Sequence, residues 1–328
     1  MPNILILGAT GYIGSALSQS LLRSGNHLVY GHARTPEKAK ALQRDEITPI
    51  LAPSLTSPSL INAIATHRID IIVDVAGADK ETFDLLNLVK KAGAERLENA
   101  QREGVLVPKL GFIYCSGTWV HGSSHVPVND LMPVGTASAP LPPAELVAWR
   151  TGLEKEVLNA RDMLDVAIVR PALVYGRSSA IWTSLFSPLL QAARGQGEGN
   201  SASSAAVKIQ VDDDSRPGLV HVDDVASGFH CAIDKLSMIA GTGVYPVFDL
   251  QTSQEDMRGI LRAAAREFGW KGVVELVGAG EDLFARAMCT TGNCSSGRAK
   301  IILGWTPRRE GFVQGMGVFV RAWESARG

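Results

Sequence analysis

Apolar residues fall in short continuous runs along the first half of the chain, and segments of mixed polarity separate these runs. Six runs have the continuity of strands that a parallel sheet buries on both faces, and they lie near residues 4–7, 27–31, 47–51, 70–77, 109–115 and 165–169. The segments between them, among them residues 82–101 and 143–161, have the lengths and apolar spacing of helices. Strand and helix therefore alternate to about residue 175, which predicts a doubly wound parallel sheet with right-handed crossovers.

The first run leads directly into a glycine-rich turn, Gly8-Ala-Thr-Gly11-Tyr-Ile-Gly14. Gly8 permits a tight turn, Gly11 lets the backbone approach a pyrophosphate, and Gly14 lets the next helix pack closely on the strand. That helix is predicted to begin near Tyr12, and its N-terminal N–H groups attract phosphate. The strand before the turn and the helix after it favour a dinucleotide-binding site over a merely structural turn. Its predicted cofactor-binding residues are Gly8, Thr10, Gly11, Tyr12, Ile13 and Gly14.

The end of the second predicted strand indicates which dinucleotide binds. In folds of this type an acidic residue about 20 positions after the glycines holds the ribose 2′-hydroxyl of NAD, whereas an arginine there suits the 2′-phosphate of NADP. This segment has no acid before Glu37, and Arg34 stands just past the strand. We therefore predict NADP rather than NAD; the alternative is that Arg34 is a solvated loop charge. The small residues that end the predicted strand at residues 70–77, Val75, Ala76 and Gly77, are predicted to border the adenosine ribose or the nicotinamide.

The pattern changes after residue 175, where helices and short strands replace the regular alternation. We predict an α/β protein with a Rossmann-type dinucleotide-binding domain at residues 1–175 and a smaller C-terminal substrate lobe at residues 176–328. Residues 219–250 are expected to return to the Rossmann core. The Gly/Ser-rich stretch at residues 195–206 predicts a mobile loop. Ligands of such folds bind at the carboxyl edge of the sheet, beneath the lobe.

Composition narrows the function classes. The chain has 328 residues, of which 45% are hydrophobic, and a net charge of −1 without a basic stripe, which argues against nucleic acid as the main partner. We expect neither a membrane span nor a signal peptide, because apolar runs are short and a strand starts at once. The four cysteines form no CxxC pair, and no His or Cys completes a metal set near Cys289 and Cys294. We therefore expect reduced thiols, no metal site and a cytoplasmic protein.

Four further motifs follow the glycine-rich turn along the chain, namely SGTWVHG (residues 116–122), RPALVYG (170–176), VHVDDVA (220–226) and LGWTP (303–307). Together with the turn they resemble the extended short-chain dehydrogenase/reductase superfamily, which includes sugar-nucleotide epimerases and dehydratases. The resemblance covers nearly the whole chain. It implies the Rossmann fold, a small-molecule substrate and a homodimer formed through two helices on one face, and it places Ser116, Pro171 and Val174 beside the cofactor.

The catalytic residues of that superfamily are absent. Its members use a Tyr, a Lys four residues later on the same helix, and a Ser or Thr from the preceding strand end; the Lys lowers the phenol pKa so that the Tyr can exchange a proton as hydride moves. No tyrosine of this chain has a Lys four positions on. The equivalent positions carry other groups: Gly117 for the hydroxyl, and Ala148/Gly152 or Trp149/Leu153 for the pair. The chain is therefore predicted to be an atypical member.

Other side chains near these motifs can supply chemistry, and each has a structural alternative. Ser116 and Thr118 can hold a substrate oxygen or bond strand-end backbone. His121 can exchange protons near neutral pH, although packing is the favoured interpretation. Arg150 can replace the Lys or stabilise an enolate, or it is a surface charge. The aromatic residues that can form a substrate pocket, or else a core, are Trp119, Trp149, Trp182 and Phe186.

Three functions fit this pattern. We favour an NADP-dependent reductase of a small hydrophobic carbonyl or enone that works without a tyrosine, because hydride transfer to an activated alkene depends mainly on positioning and electrostatics. The second is a redox-silent isomerase or lyase that uses acid–base chemistry on the same fold. The third is a non-enzymatic NADP-sensing regulator, similar to those of nitrogen-metabolite repression. Fold alone does not decide among them.

Overall fold

The computed structural model describes residues 1–77, 81–196, 206–309 and 311–327. Its strands are β1 (Asn3–Leu7), β2 (Leu28–Ala33), β3 (Thr48–Leu51), β4 (Ile71–Asp74), β5 (Leu110–Cys115), β6 (Val128–Asn129), β7 (Leu164–Pro171), β8 (Leu173–Tyr175), β9 (Ala206–Ile209), β10 (Gly218–His221), β11 (Val247–Leu250), β12 (Ser253–Gln254), β13 (Val273–Leu276) and β14 (Cys294–Ser295). Its α-helices are α1 (Tyr12–Ser24), α2 (Pro36–Arg44), α3 (Pro58–Thr66), α4 (Glu81–Glu103), α5 (Trp149–Asn159), α6 (Thr183–Gly195), α7 (Val222–Gly241), α8 (Met257–Glu267), α9 (Leu283–Met288) and α10 (Met316–Ser325). In this described part of the chain, no helix combines the length and the apolar character needed to span a membrane.

Within the described residues, seven parallel strands form the central sheet, in the order β11-β7-β5-β4-β1-β2-β3. The register runs across neighbouring strands, so that Ile4 of β1 is level with Val29 of β2 on one side and with Ile71 of β4 on the other. Helices follow the strands and cover both faces of the sheet. This arrangement confirms the doubly wound, Rossmann-type α/β fold that the hydrophobic pattern predicts.

The helices on the two faces bury two apolar layers. On one face α1 and α7 pack against the sheet through side chains such as Leu17 and Phe229. On the other face α3, α4 and α5 do so through Leu60, Val89 and Val157. All five of these side chains are 0–1% exposed. Because both faces are covered, the loops at the carboxyl edge of the sheet have a rigid support.

A smaller lobe contains α6, α8, α9 and α10 and has a core of its own. Its aromatic centre includes Trp182, Phe186 and Phe312, with ring centroids 4.8–6.3 Å apart. A three-stranded sheet, β12-β10-β8, lies beside this core. The segment at residues 219–250 spans both regions, because β10 belongs to the small sheet whereas α7 packs on α1 and β11 forms an edge of the central sheet.

The local structure differs from the pattern-based prediction at several element boundaries, among them the end of β4, which stops at Asp74 instead of Gly77. The helix expected at residues 143–161 begins only at Trp149, because Ala144 is extended (ψ 132°) and Glu145–Val147 form a separate 3₁₀ turn. The second strand continues to Ala33 instead of ending at Gly31. Most of the loop predicted to be mobile, residues 197–205, lies outside the described residues.

Candidate active site

The glycine-rich turn lies beside the carboxyl end of β1, where the strand order reverses. Gly8 has a φ of 85°, a conformation that favours glycine, and its carbonyl accepts a 2.8 Å hydrogen bond from the Gly11 N–H. A Cβ on Gly14 would overlap the Gly8 carbonyl oxygen. Gly11 is exposed at the start of α1, so the N–H groups of the first helical turn are open to an anion. These residues fit the phosphates of a dinucleotide.

Two cavities flank this turn. The first, which we name the basic cavity, has a volume of about 190 Å³ and is lined by Gly8, Thr10, Gly11, His32, Arg34, Lys38, Leu55 and Ala76. The second, which we name the apolar cavity, has a volume of about 300 Å³ and is lined by Tyr12, Ile13, Cys115, Ser116, Gly117, Thr118, Trp119, Val147, Arg150, Pro171, Ala172, Leu173, Val174, Ser179, Ala180 and Ile181. A dinucleotide laid across the turn would reach both cavities.

Positive charge dominates the basic cavity. Arg34 follows the end of β2 and Lys38 lies in the first turn of α2, so both cations border the same space. The Arg34 guanidinium pairs with Glu81 at 3.4 Å, and 52% of the Arg34 side chain remains exposed. Burial lowers the pKa of His32, whose Nε2 lies 2.9 Å from the Ala52 carbonyl oxygen, so this imidazole is neutral at pH 7. Two cations and one nearby carboxylate therefore set the charge of this cavity.

The apolar cavity has few polar groups. Among the described residues that line it, Arg150 is the one with a charged side chain. The Tyr12 hydroxyl donates a 2.6 Å hydrogen bond to the Gly176 carbonyl, and burial raises its pKa further above its ordinary value. Burial also raises the pKa of the Cys115 thiol to about 12. Neither group releases a proton near neutral pH.

Ser116 and Arg150 bring the main hydrogen-bonding groups to this cavity. The Ser116 N–H donates to the Val169 carbonyl at 2.9 Å, whereas its buried Oγ has no hydrogen-bond partner among the described residues. Arg150 Nη1 donates to the Cys115 carbonyl at 3.0 Å and to the Tyr114 hydroxyl at 2.9 Å. An unpartnered buried hydroxyl costs about 1–3 kcal/mol, so a ligand atom that accepts from Ser116 would gain much of this energy.

A buried cluster of charges fixes α5, the helix that carries Arg150. Glu154, one turn after Arg150, accepts two hydrogen bonds from Arg170 of β7, at 2.9 and 2.5 Å. Arg170 also lies 3.6 Å from Asp249 of β11, and Asp249 pairs with His121 at 2.8 Å. Burial alone would lower the pKa of Arg170, but the Glu154 carboxylate outweighs it and raises the pKa above its ordinary value. The guanidinium therefore stays charged and holds α5 against the sheet.

This cluster corrects the catalytic role considered for His121. The imidazole is buried and faces Asp249 and Arg170, and it lines neither cavity. It therefore cannot reach a substrate. The packing role is the one that its position allows, since its contacts join the end of β5 to β11.

The expected aromatic pocket is also corrected in part. Trp119 lines the apolar cavity. Trp182 and Phe186 are instead buried in the core of the lobe, where the Trp182 Nε1 donates to the Val174 carbonyl at 3.0 Å. Trp149 packs against the layer beneath α5, with the Arg150 guanidinium 4.8 Å above its ring. The cavity is thus bounded mainly by aliphatic rather than aromatic side chains.

The two cavities bring together most of the predicted site residues. The basic cavity has Gly8, Thr10, Gly11, Arg34 and Ala76, and the apolar cavity has Tyr12, Ile13, Ser116, Thr118, Arg150, Pro171 and Val174. Three predicted cofactor residues line neither cavity: Gly14 packs under Gly8, Val75 packs against the core, and Gly77 is exposed with a φ of 70°.

The structure also shows which residues of the predicted helix line the apolar cavity, a point that the sequence leaves open. Val147 and Arg150 line the apolar cavity, whereas the positions counted as equivalent to the superfamily pair, Ala148/Gly152 and Trp149/Leu153, do not. The helix therefore presents an arginine to the cavity, and its own sequence, Trp149–Asn159, contains no tyrosine.

Asp74 is a polar residue near this site that the sequence analysis missed. It ends β4, its carboxyl group is buried, and its Oδ1 accepts a 3.1 Å hydrogen bond from the Ala76 N–H. Burial raises its pKa to about 6, against a lowering contribution from nearby Arg150. An acid at the carboxyl end of an otherwise apolar strand is the signal that could have identified it.

Comparison with known proteins assigns the family. The model of the NAD dependent epimerase/dehydratase family matches residues 4–247, which is most of the chain. The chain belongs to this family. The match agrees with the resemblance to extended short-chain dehydrogenases/reductases that the motifs indicate. UDP-glucose 4-epimerase of Neisseria meningitidis is similar at 24% identity over 267 residues, which are 74% of this chain and 76% of the relative.

Solved structures share the fold over almost the full length. The dTDP-glucose 4,6-dehydratase of Bacillus anthracis, in complex with NAD, has a TM-score of 0.70 at 17% identity, over 99% of this chain and 97% of that chain. The UDP-glucuronic acid 4-epimerase of Bacillus cereus, in complex with NAD, has a TM-score of 0.67 at 17% identity, over 99% and 100% of the two chains. At such identities the likeness establishes the fold of this family member and leaves its reaction open.

Proposed function

We propose that the protein binds NADP(H) across the glycine-rich turn and reduces a small, largely apolar carbonyl or enone compound in the apolar cavity. The observation that carries this proposal is the unpartnered buried hydroxyl of Ser116 together with the Arg150 guanidinium in a largely apolar wall. Two donors beside apolar space suit a substrate with one polar oxygen and a hydrocarbon body.

The two donors would stabilise negative charge on that oxygen. When bound, the reduced nicotinamide supplies a hydride to the electrophilic carbon, and the displaced electron pair moves to the substrate oxygen. The Arg150 guanidinium acts as a fixed positive charge, while Ser116 donates a hydrogen bond to the oxyanion or enolate. Tyr12 and Cys115 keep their protons because burial raises their pKa values. In this proposal water therefore provides the final proton.

Arg34 and Lys38 support NADP as the form of the cofactor. The last residue of β2 is Ala33, so no acid stands there to hold a ribose 2′-hydroxyl, and both cations line the basic cavity beside the turn. A 2′-phosphate would replace Glu81 as the partner of Arg34. This exchange costs little, because the Arg34–Glu81 pair is partly exposed and weak.

The same geometry disfavours a sugar nucleotide as substrate. A diphosphate needs several cationic or N–H donors, and sugar hydroxyls need polar partners. Arg150 is the one charged residue in the described wall, and most of the remaining wall is apolar. The volume of about 300 Å³ would also have to hold the nicotinamide, which leaves room for a small substrate.

Binding titrations with NADPH and NADH, read by fluorescence, test the cofactor assignment. We expect tighter binding of NADPH, and a loss of about tenfold or more in NADPH affinity for Arg34→Ala, because the 2′-phosphate loses a charged partner. NADH affinity should stay unchanged in this variant. Arg44→Ala, at the exposed end of α2, is the matched control and should affect neither cofactor. Equal losses for NADPH and NADH in Arg34→Ala would refute the 2′-phosphate role.

A screen of enones and aldehydes for NADPH consumption tests the reaction. Ser116→Ala and Arg150→Met are each expected to lower kcat/KM by about 10²-fold, as loss of an oxyanion donor does in other enzymes. Arg161→Met removes an exposed arginine just after α5 and should leave the rate unchanged. Unchanged rates in both cavity variants would refute the role of the two donors. Tight NADPH binding without consumption by any compound would favour the redox-silent enzyme or the NADP-sensing regulator instead.

A further inference from the structure

A second cluster of polar side chains lies at the amino edge of the sheet, away from both cavities. His27 immediately precedes β2, and His230 and Asp234 stand one turn apart on α7. Each of the three offers one ligand atom, and these atoms lie within 4.8 Å of one another. We propose that His27, His230 and Asp234 form a binding site for a divalent transition metal, for which Zn²⁺ is the best match.

The hydrogen bonds around His27 leave its Nε2 for a cation. The Ser24 hydroxyl donates to the Leu21 carbonyl at 2.7 Å, so it can only accept from the His27 Nδ1 that lies 3.2 Å away. Nδ1 therefore carries the hydrogen, and Nε2 faces the Asp234 Oδ1 at 3.0 Å. If the imidazole is neutral, this contact places the lone pair of the His27 Nε2 against a lone pair of the Asp234 Oδ1. A proton or a metal ion must accompany them, and the surrounding residues favour the metal.

His230 provides a second nitrogen from the neighbouring helix. Its Nδ1 lies 2.9 Å from the Ser20 hydroxyl, and its Nε2 lies 3.6 Å from the Asp234 Oδ2. The rings of His27 and His230 meet edge to face, with centroids 5.1 Å apart and 78° between their planes. Two imidazoles thus approach one carboxylate from different elements.

Two imidazoles and a carboxylate match the ligand preference of Zn²⁺. Tetrahedral Zn²⁺ holds N and O ligands at about 2.0–2.2 Å, so adjacent ligand atoms of a filled site lie about 3.3 Å apart. The His27 Nε2 lies 3.0 Å from Oδ1 of Asp234 and the His230 Nε2 lies 3.6 Å from Oδ2, so each imidazole is near this spacing from one oxygen of the carboxylate. Ser20 and Ser24 hold the outer imidazole nitrogens, as hydrogen-bond partners do in zinc sites. The Asp234 side chain is 48% exposed, so water can take the fourth position.

The local charge distinguishes this site from a second close triad of the described residues, His121, Asp249 and Cys294. There the Arg170 guanidinium lies 3.6 Å from Asp249, and its permanent positive charge repels a cation. Around Asp234, by contrast, the ion-pair partners within the described residues are the two imidazoles. An imidazole, unlike a guanidinium, can exchange its proton for a metal ion.

A metal at this site would join the turn between α1 and β2 to α7. These elements pack on the same face of the sheet, and the site lies at the opposite edge from the glycine-rich turn. A ligand that binds only the folded state stabilises that state by mass action. The expected role is therefore structural, and metal binding is independent of the proposed reductase activity.

Calorimetric titration of the EDTA-treated full-length protein with ZnCl₂ tests the proposal. We expect one equivalent to bind, a higher unfolding midpoint in Zn²⁺, and no effect of Mg²⁺, which prefers oxygen ligands. Because all four cysteines are free, Co²⁺ absorption is the second readout. A site made of nitrogen and oxygen ligands gives no thiolate charge-transfer band.

Variants of the ligands and of their supports locate the bound ion. Asp234→Ala and His230→Ala remove partly exposed side chains, so the fold should persist, and each should abolish the one-equivalent binding. Ser20→Ala should weaken it by about 10–100-fold, as loss of an outer hydrogen bond does. His125→Ala, at an exposed loop histidine, is the control and should bind like the native chain. No saturable binding, binding that survives both ligand variants, or a thiolate band would overturn the proposal.

Discussion

Replacing Glu154 with glutamine removes the negative charge that faces Arg170 and keeps the shape of the side chain. The two side chains are 1% and 3% exposed, and hydrogen bonds of 2.9 and 2.5 Å join them. Breaking a buried pair costs about 3–5 kcal/mol, because the remaining charge is left uncompensated. Asp249, 3.6 Å from Arg170, retains part of the compensation. We therefore expect Glu154→Gln to lower the free energy of unfolding by about 3 kcal/mol.

Urea unfolding followed by tryptophan fluorescence measures this loss, since the chain has six tryptophans. Glu324→Gln is the matched control, because it makes the same substitution in the Arg194–Glu324 pair, whose atoms lie 2.6 Å apart and whose side chains are 66% and 39% exposed. Exposed pairs contribute about 0.2–1 kcal/mol, so the control should lose no more than this.

Equal losses in the two variants would refute the reasoning, since the contact itself and not its burial would then set the cost. A functional readout accompanies the stability measurement. Arg150 lies one turn before Glu154 on α5, so loosening that helix should also reduce the proposed NADPH consumption at temperatures where Glu154→Gln remains folded.

Three further predictions concern the glycine-rich turn, the end of β4 and the wall of the apolar cavity. Gly14→Ala would overlap the Gly8 carbonyl and should abolish dinucleotide binding, whereas Gly152→Ala, whose Cβ meets no atom of the described residues within 4 Å, should leave binding intact; equal titrations would contradict this. Burial raises the pKa of Asp74 to about 6. The neutral carboxyl group therefore makes its full contribution to the free energy of unfolding below pH 4, and this contribution is lost as the pH rises through 6. Relative to Asp74→Asn, the native chain should lose about 3 kcal/mol over that interval in urea unfolding, and a constant difference would count against the burial argument. Because burial raises the pKa of Cys115 to about 12, iodoacetamide should leave it unmodified in the folded protein near pH 8, and mass spectrometry would reveal the opposite.

The features that could be predicted from the sequence are those that depend on local backbone conformation. Continuous apolar runs specify buried parallel strands, and the glycines of the turn stand where positive φ or close packing excludes a Cβ. Arg34 directly follows β2, so once that strand was predicted, the position of Arg34 at the carboxyl edge of the sheet could be predicted as well. These features need no knowledge of distant residues.

Side-chain orientation could not be predicted in the same way, because it depends on contacts between distant segments. Arg150 faces the cavity because the Glu154–Arg170 pair fixes the rotation of α5, and His121 is turned inward by Asp249, 128 residues away. Trp182 and Phe186 lie on an amphipathic segment, and that pattern is the same for a core and for a pocket wall. The His27 cluster joins residues 207 positions apart, so only the folded chain brings them together.

Among the described residues, the wall of the apolar cavity has hydrogen-bond donors but no carboxylic acid, and this restricts the chemistry that the site can perform. Hydride addition to an unactivated ketone forms a strongly basic alkoxide, which needs a proton donor in the same step. Hydride addition to an enone forms an enolate. Its charge is delocalised, so water can protonate it in a later step. Arg150 offers a permanent positive charge but no transferable proton, and the neighbouring Tyr12 and Cys115 hold theirs. If the proposed reduction occurs here, the wall therefore suits an enone better than a simple ketone.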